Sequence, residues 1–185
     1  MFTAKARNAA TTRMKTVTVL APLTAILAAV ALGVGAQPAS ADLIHDTTIE
    51  CGGHLWSPDW NIDDTDPRIK YSENWKAEVP AQGQFHGTQH VTKYGGARAD
   101  YTLPRSSLNF ALGFTKMRSG GIAAIYFNNV LLGEIDMYAP SNVYDCALIW
   151  DWGLPPGKFT IKAVNRKNPA SDGTYVNVDY IHNND

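Results

Sequence analysis

Recognisable catalytic motifs are absent from this 185-residue chain. It has no Gly-x-Ser-x-Gly nucleophile elbow, no glycine-rich phosphate loop and no His-Glu-x-x-His helix. Four of its five histidines, His45, His54, His86 and His90, fall at no zinc-motif spacing. No catalytic residue is therefore predicted from a motif. An enzyme remains only if the fold brings two carboxylates together, and the pair to examine would be Asp136 with Asp179 or Glu134.

Helical periodicity is nearly absent after residue 42. The chain instead contains short runs with alternating or β-branched residues, separated by turn-forming residues. Nine such runs in one domain predict an all-β fold of about eight to nine strands in two packed sheets. They cover residues 69–75, 86–93, 97–103, 107–115, 121–128, 130–138, 143–152, 158–166 and 175–182.

Positive charge is scarce once the N-terminus is set aside. Residues 1–41 have a basic start, an apolar run and a small-residue ending at Ala39-Ser40-Ala41, which is typical of a cleaved signal peptide. An uncleaved membrane anchor is the alternative. This leader contains four of the 16 basic residues and none of the 17 acidic ones, so the remaining chain has a net charge of −5. That charge argues against nucleic acid or anionic membrane as the partner.

Cysteine is rare, and both cysteines follow the leader, at Cys51 and Cys146. Export to an oxidising compartment favours a disulfide between them. A catalytic thiol is the alternative, but neither cysteine has a histidine or asparagine in a nucleophile-like context. We therefore expect a secreted, extracellular protein with one disulfide bond.

Residues 42–68 differ from the rest of the chain, because they are rich in Asp, His and Trp and weakly periodic. We expect them to form an extended N-terminal arm attached through Cys51, ahead of a β-sandwich domain at 69–185. The stretch "DWNIDDTD" at 59–66 has the oxygen density that calcium prefers but lacks the glycine and glutamate of the helix-loop-helix calcium motif. An acidic solvated loop is the default, with no cofactor, although a structural calcium stays open.

Several ordered motifs resemble those of one family of domains. They are Tyr71-Ser72 with Trp75, Gly87 with His90 and Thr92, the segment 121–129, Ile135-Asp136-Met137-Tyr138, and the loop 167–173. In this order they resemble the galactose-binding-like β-sandwich modules of secreted bacterial carbohydrate-active proteins, over roughly residues 69–181.

The resemblance implies a jelly-roll β-sandwich whose function is carbohydrate binding. Two departures stand out. The hairpin has Asn128-Asn129 where such modules often have Asp-Gly, and no catalytic domain accompanies the module in this chain.

Sugars are bound by aromatic faces together with polar groups that reach the hydroxyls. The aromatic candidates are Trp75, Tyr94 and Trp152, whereas the parity of Trp150 with Cys146 places it in the core. Two of them have a structural alternative: Trp75 could cap the sandwich, and Trp152 could be buried.

The polar candidates for ligand binding are His90, Arg118 and Asp136. Arg118 and Asp136 could alternatively form a surface ion pair with little effect on stability. The alternative for His90 is a strand histidine hydrogen-bonded to backbone.

These features predict a secreted, non-catalytic, lectin-like module that binds extracellular polysaccharide or glycan. We expect it to be a monomer that, after cleavage of the leader, has no membrane partner. The alternatives are a small glycoside-active enzyme and a cell-surface protein-interaction module, because a fold alone does not fix function.

Overall fold

The computed structural model describes residues 47–52, 58–79, 82–150 and 154–184. The predicted leader at 1–41 and the candidate ligand residue Trp152 lie outside these ranges. Nowhere in them is there a helix with the length and apolar character needed to cross a membrane.

Thirteen strands form in the described ranges, together with two short 3-10 turns at Pro58–Trp60 and Phe85–Gly87. All nine runs predicted from the sequence contain strand, and the last of them is divided in two by Asp179. The strands are β1 Thr47–Cys51, β2 Asn61–Asp63, β3 Ile69–Tyr71, β4 Lys76–Glu78, β5 Gln89–Thr92, β6 Arg98–Leu103, β7 Asn109–Lys116, β8 Gly121–Phe127, β9 Val130–Asp136, β10 Val143–Trp150, β11 Gly157–Lys167, β12 Val176–Val178 and β13 Tyr180–Asn184.

The strands form an all-β sandwich, as predicted. One five-stranded sheet has the order β1-β10-β7-β13-β2, and the other has the order β3-β6-β11-β8-β9. A three-stranded sheet, β12-β5-β4, continues the first one, because only Asp179 separates β12 from β13 and its backbone N–H donates to Gly113 at 2.9 Å. All strand pairs within these sheets are antiparallel.

Aromatic rings from both sheets fill the core between them. Phe110 of β7 stacks on Phe159 of β11 with ring centroids 4.1 Å apart, and Trp150 of β10 lies 5.2 Å from Phe159. These side chains are 4% exposed or less, which confirms the prediction that Trp150 is a core residue. Such ring pairs stabilise the sandwich beyond the apolar area that they bury.

The β8–β9 hairpin turns at Asn128-Asn129, as the sequence predicted. Both residues have positive φ angles, 48° and 67°. Asparagine tolerates this left-handed region better than most residues, so it can stand where aspartate and glycine are common. The Asn128 side chain also accepts a hydrogen bond from the Lys158 backbone N–H at 2.9 Å.

The acidic segment before β3 is part of the sandwich. β1 pairs with β10, and β2 pairs with β13, so residues from the expected arm form both edges of the first sheet. Ile62 is 5% exposed and Asp64 is completely buried. The default of a solvated acidic loop is therefore wrong for this stretch, because a three-residue strand directs Ile62 into the core and Asp64 lies directly after it.

Cys51 and Cys146 form the predicted disulfide. They lie directly opposite each other in the β1–β10 pairing. The bond therefore joins an edge strand, which has one neighbour in the sheet, to the body of the domain.

Candidate functional site

A groove of about 660 Å³ lies at one edge of the sandwich. The segment around β2, the loop before β3, the end of β6 and the end of β13 meet there. The groove combines an aromatic ring with amide, hydroxyl, guanidinium and carboxylate groups. Its lining residues are Asp59, Trp60, Asn61, Ile62, Arg68, Tyr101, Thr102, Pro104 and Asn183.

Trp60 forms one wall of this groove. It ends the 3-10 turn Pro58–Trp60, immediately before β2, and 42% of its surface is exposed. Its ring is nearly parallel to that of buried His182, with centroids 6.3 Å apart. The Nδ1 atom of His182 is 2.8 Å from Asn61 Oδ1, which fixes the histidine ring. The tryptophan is thus supported from inside and presents apolar surface to solvent.

Polar groups also line the groove. Asn183 Nδ2 donates to the Tyr101 hydroxyl at 3.4 Å, whereas Asn183 Oδ1 is buried with no hydrogen-bond partner among the described residues. Arg68 is 61% exposed at its side chain and binds Asp66 through two hydrogen bonds of 2.9 Å. These bonds lower the pKa of Asp66 below its usual range. The guanidinium is thereby fixed in orientation at the rim.

This groove was not predicted from the sequence. The one local indication that Trp60 is exposed is its position between the polar residues Asp59 and Asn61, shortly after a proline. A tryptophan in such a polar setting is more often exposed than one in an alternating strand. Its partners Tyr101 and Asn183 come from strands distant in sequence, so the groove itself could not be derived.

Two predicted ligand residues, His90 and Trp75, lie close together on either side of Tyr71. The Tyr71 ring stacks on His90 with centroids 4.0 Å apart and is 5.2 Å from Trp75. His90 Nδ1 is 2.5 Å from Oδ2 of buried Asp64, whose Oδ1 accepts from Thr88. His90 is thus a strand histidine, and the partner of its Nδ1 is the buried Asp64 carboxyl rather than a backbone group.

Replacing His90 with alanine should lower the free energy of unfolding. Asp64 Oδ2 would lose its partner in a site without solvent, which costs about 1–3 kcal/mol, and stacking on Tyr71 would be lost, adding about 0.5–1.5 kcal/mol. His90→Asn is the matched control, since its amide nitrogen can replace Nδ1 as the donor. Urea unfolding should rank wild type above His90→Asn and His90→Asn above His90→Ala. Equal midpoints for all three would contradict a structural role.

Asp179 is the second buried carboxyl near this network and is 1% exposed. Its Oδ1 accepts from the Phe85 backbone N–H at 2.8 Å, and its Oδ2 has no hydrogen-bond partner among the described residues. Burial, reinforced by the negative fields of Asp64, Asp145 and Asp63, raises the pKa of Asp179 to about 8. The Phe85 N–H opposes this shift but does not overcome it.

The expected meeting of Arg118 and Asp136 does not occur. Arg118 pairs with exposed Asp172 at 2.6 Å, whereas Asp136 accepts from the Asn168 amide at 2.8 Å and from the Tyr138 backbone N–H at 3.0 Å. Both side chains thus contact the loop 167–173 rather than each other. The reason is that this loop lies against both the β7–β8 turn and the end of β9.

The loop 167–173 is held from within. Ser171 Oγ hydrogen-bonds to the Gly120 carbonyl at 2.7 Å, and Lys167 Nζ donates to the Ser171 carbonyl at 2.7 Å. These bonds fasten the loop to the β7–β8 turn. Arg118 and Asp136 contact this same loop, through Asp172 and Asn168 respectively.

Tyr94 is an exposed ring, as expected for a residue in a turn. It is 49% exposed and follows β5, and its backbone N–H is bound to Thr92 Oγ1 at 3.2 Å. Tyr94 does not line the Trp60 groove. It is therefore a matched exposed aromatic for testing that groove.

Two carboxyl groups of the acidic segment 59–66 form hydrogen bonds with other residues of the protein. Asp63 Oδ1 accepts from the Thr65 backbone N–H at 2.9 Å, and Asp64 is bound by Thr88 and His90. Among residues 47–52, 58–79, 82–150 and 154–184, no three His, Cys, Asp or Glu side chains are grouped so as to hold a metal ion.

Known proteins similar to this chain include enzymes that act on carbohydrates. An A type blood N-acetyl-alpha-D-galactosamine deacetylase from Flavonifractor plautii is 29% identical over 104 residues, which make up 56% of this chain and 13% of the deacetylase. No family model matches the chain.

Similar solved structures also include carbohydrate-active enzymes. A two-domain esterase active on acetylated mannans, co-crystallised with mannopentaose, has a TM-score of 0.50 at 11% identity, over 68% of this chain and 36% of the esterase. The catalytic domain of an alpha-1,3-glucanase, in complex with tetrasaccharides, has a TM-score of 0.46 at 13% identity, over 68% of this chain and 28% of the glucanase. At such low identity the esterase comparison supports the fold alone.

Proposed function

We propose that the protein is an exported, non-catalytic carbohydrate-binding module of the galactose-binding-like type, and that the Trp60 groove holds the sugar. The observation that carries this proposal is the exposed Trp60 ring in one groove with amide and hydroxyl groups. A sugar ring has an apolar C–H face that fits an aromatic side chain and hydroxyls that need planar polar partners. Asn183 Oδ1, buried without a partner, is suited to accept from such a hydroxyl.

The similarity to the deacetylase supports this proposal. The aligned stretch is a small share of that enzyme, which is several times longer than this chain. A stretch of this size is suited to a binding module that keeps a larger enzyme on its polymer. The disulfide supports export, since such bonds persist in oxidising compartments.

The contents of the groove favour binding over glycoside cleavage. Cleavage of a glycosidic bond requires two carboxyls flanking it, and Asp59 is the carboxyl that lines the groove in the described part of the chain. The acid pairs considered from the sequence are engaged elsewhere: Asp136 by Asn168, Asp179 by Phe85 and Glu134 by Arg166.

Truncating Trp60 to alanine should abolish measurable binding or weaken it by about tenfold or more, because an anchoring aromatic contributes about 2 kcal/mol or more to an interface. The measurement is calorimetric titration of the purified protein with a panel of soluble polysaccharides. Tyr94→Ala is the matched control, since it removes an equally exposed ring outside the groove. It should bind as wild type does.

Three outcomes would count against this proposal. If no polymer binds the folded protein, the protein-interaction alternative gains weight. Loss of binding in Tyr94→Ala with retention in Trp60→Ala would place the site at the turn after β5. New reducing ends in the incubated polymer would favour the glycoside-active alternative.

A further inference from the structure

A basic patch lies on the outer face of the second sheet. We define it by Arg98 on β6, Lys158 and Lys162 on β11, and Tyr126 on β8. Together with Thr160 and Asn129 these residues line a hollow of about 190 Å³. Because the side chains alternate along each strand, the cations point away from the core that Phe159 and Ile161 fill.

Two of the positively charged residues occupy directly opposite positions on neighbouring strands. Lys162 is the residue opposite Arg98 in the β6–β11 pairing. Like charges at directly opposite positions destabilise a sheet. Lys158 and Thr160 bind the nearby Asp100 carboxylate at 2.7 and 2.5 Å, whereas Arg98 and Lys162 form no ion pair with any described residue. Within the part of the chain that the structure describes, the sheet therefore keeps two adjacent positive charges without an ion-pair partner.

Neighbouring strands do not neutralise the patch. Lys70 on β3 lies opposite Asp100 and adds a further positive charge at its edge. Two further carboxylates that the structure describes on this face belong to β9: Glu134 is paired with Arg166, and Asp136 accepts from the Asn168 amide. The patch is therefore positive although the chain after the leader has an excess of acidic residues. This local reversal of sign is complementary to a negatively charged ligand.

The basic patch adjoins the Trp60 groove. Thr102 lines the groove, and it lies directly opposite Lys158 in the β6–β11 pairing. A chain of sugars that occupies the groove can therefore extend across β6 and β11 onto the patch. This continuity favours a polymer over a single sugar.

We propose that the basic patch binds the carboxylates of an acidic polysaccharide, as a second subsite beside the Trp60 groove. Arg98 can bind a carboxylate through its planar fork, Lys162 adds a point charge, and Tyr126 offers a ring edge and a hydroxyl to the sugar. The choice of a glycan as the ligand rests on the proposed function. The positive charge of the patch does not depend on it.

The test compares acidic polysaccharides with neutral counterparts of the same backbone. Polygalacturonate, alginate and hyaluronan are titrated into the purified protein, each beside its methyl-esterified form. We expect at least one acidic polymer to bind better than its ester, and to bind less well as salt is raised. Arg98→Gln with Lys162→Gln should weaken that binding by about tenfold or more, since two charge-assisted contacts are lost.

The matched control is Lys76→Gln with Lys93→Gln, which removes the same charge from exposed positions in the first layer of the sandwich. This control should bind as wild type does. Equal loss in both double variants would overturn the subsite, because only net charge would then matter. Equal binding to DNA or to vesicles of anionic lipid would overturn it too, since the patch would then recognise any polyanion.

Failure of this inference differs from failure of the proposed function. A neutral polysaccharide bound through Trp60, with no acidic polymer preferred over its ester, would overturn the patch and leave the groove intact. An acidic polymer that depends on Arg98 and Lys162 but not on Trp60 would support the patch and contradict the groove.

Discussion

Cys51→Ala should lower the free energy of unfolding by about 3–5 kcal/mol, because the disulfide closes a long loop and the loss of such a bond from a small exported domain costs about that much. The bond joins residues 95 positions apart in sequence. It also fixes β1, an edge strand whose exposed residues Ile49 and Glu50 bury little surface. Urea unfolding monitored by tryptophan fluorescence would measure the loss.

Reduced wild-type protein is the control for this experiment. Cys51→Ala leaves the fully buried Cys146 in the core, so it removes the cross-link without opening a cavity. In reductant, the wild-type protein should unfold at the midpoint of the variant. If the oxidised wild type and the variant share one midpoint, the disulfide contributes nothing and β1 is held by its hydrogen bonds to β10 alone.

The sequence predicted those features of the fold that depend on local pattern. The parity of Trp150 with Cys146 predicted that Trp150 lies in the core, where it is 4% exposed. Left-handed asparagines predicted the turn at 128–129. The disulfide followed from the small number of cysteines and the expected compartment. None of these inferences required knowledge of which strands are neighbours.

Features that depend on strand neighbours could not be predicted. β2 has three residues and lies in an aspartate-rich segment, so no alternation could reveal it. The groove needs Trp60 beside strands that begin at Arg98 and Tyr180. These two strands belong to different sheets, so their juxtaposition follows from how the two sheets pack together. Arg118 and Asp136 were expected to meet because both lie near strand ends, yet the loop 167–173 lies between them and satisfies each separately.

Asp179→Asn should remove a loss of stability that the wild-type protein shows as pH rises. The pKa of Asp179 is raised from its usual value near 3.8 to about 8, chiefly by burial. Between these values the folded protein holds a proton that the unfolded chain has released, so rising pH favours unfolding. The stabilisation that this bound proton gives to the folded protein is fully present below about pH 4, and above that it falls by at most about 1.4 kcal/mol per pH unit. It is lost above about pH 8.

Asparagine imitates the protonated carboxyl, because its Oδ1 can still accept from the Phe85 N–H and it carries no charge at any pH. The stability of Asp179→Asn relative to wild type should therefore increase steadily from pH 5 to pH 8 and level off above that. Urea unfolding of both proteins across this pH range measures the difference. Asp172→Asn, at a carboxyl that is 60% exposed, is the control and should follow the wild-type profile. Parallel profiles for Asp179→Asn and wild type would mean that Asp179 is ionised in the folded protein throughout this range, with its charge compensated inside the sandwich.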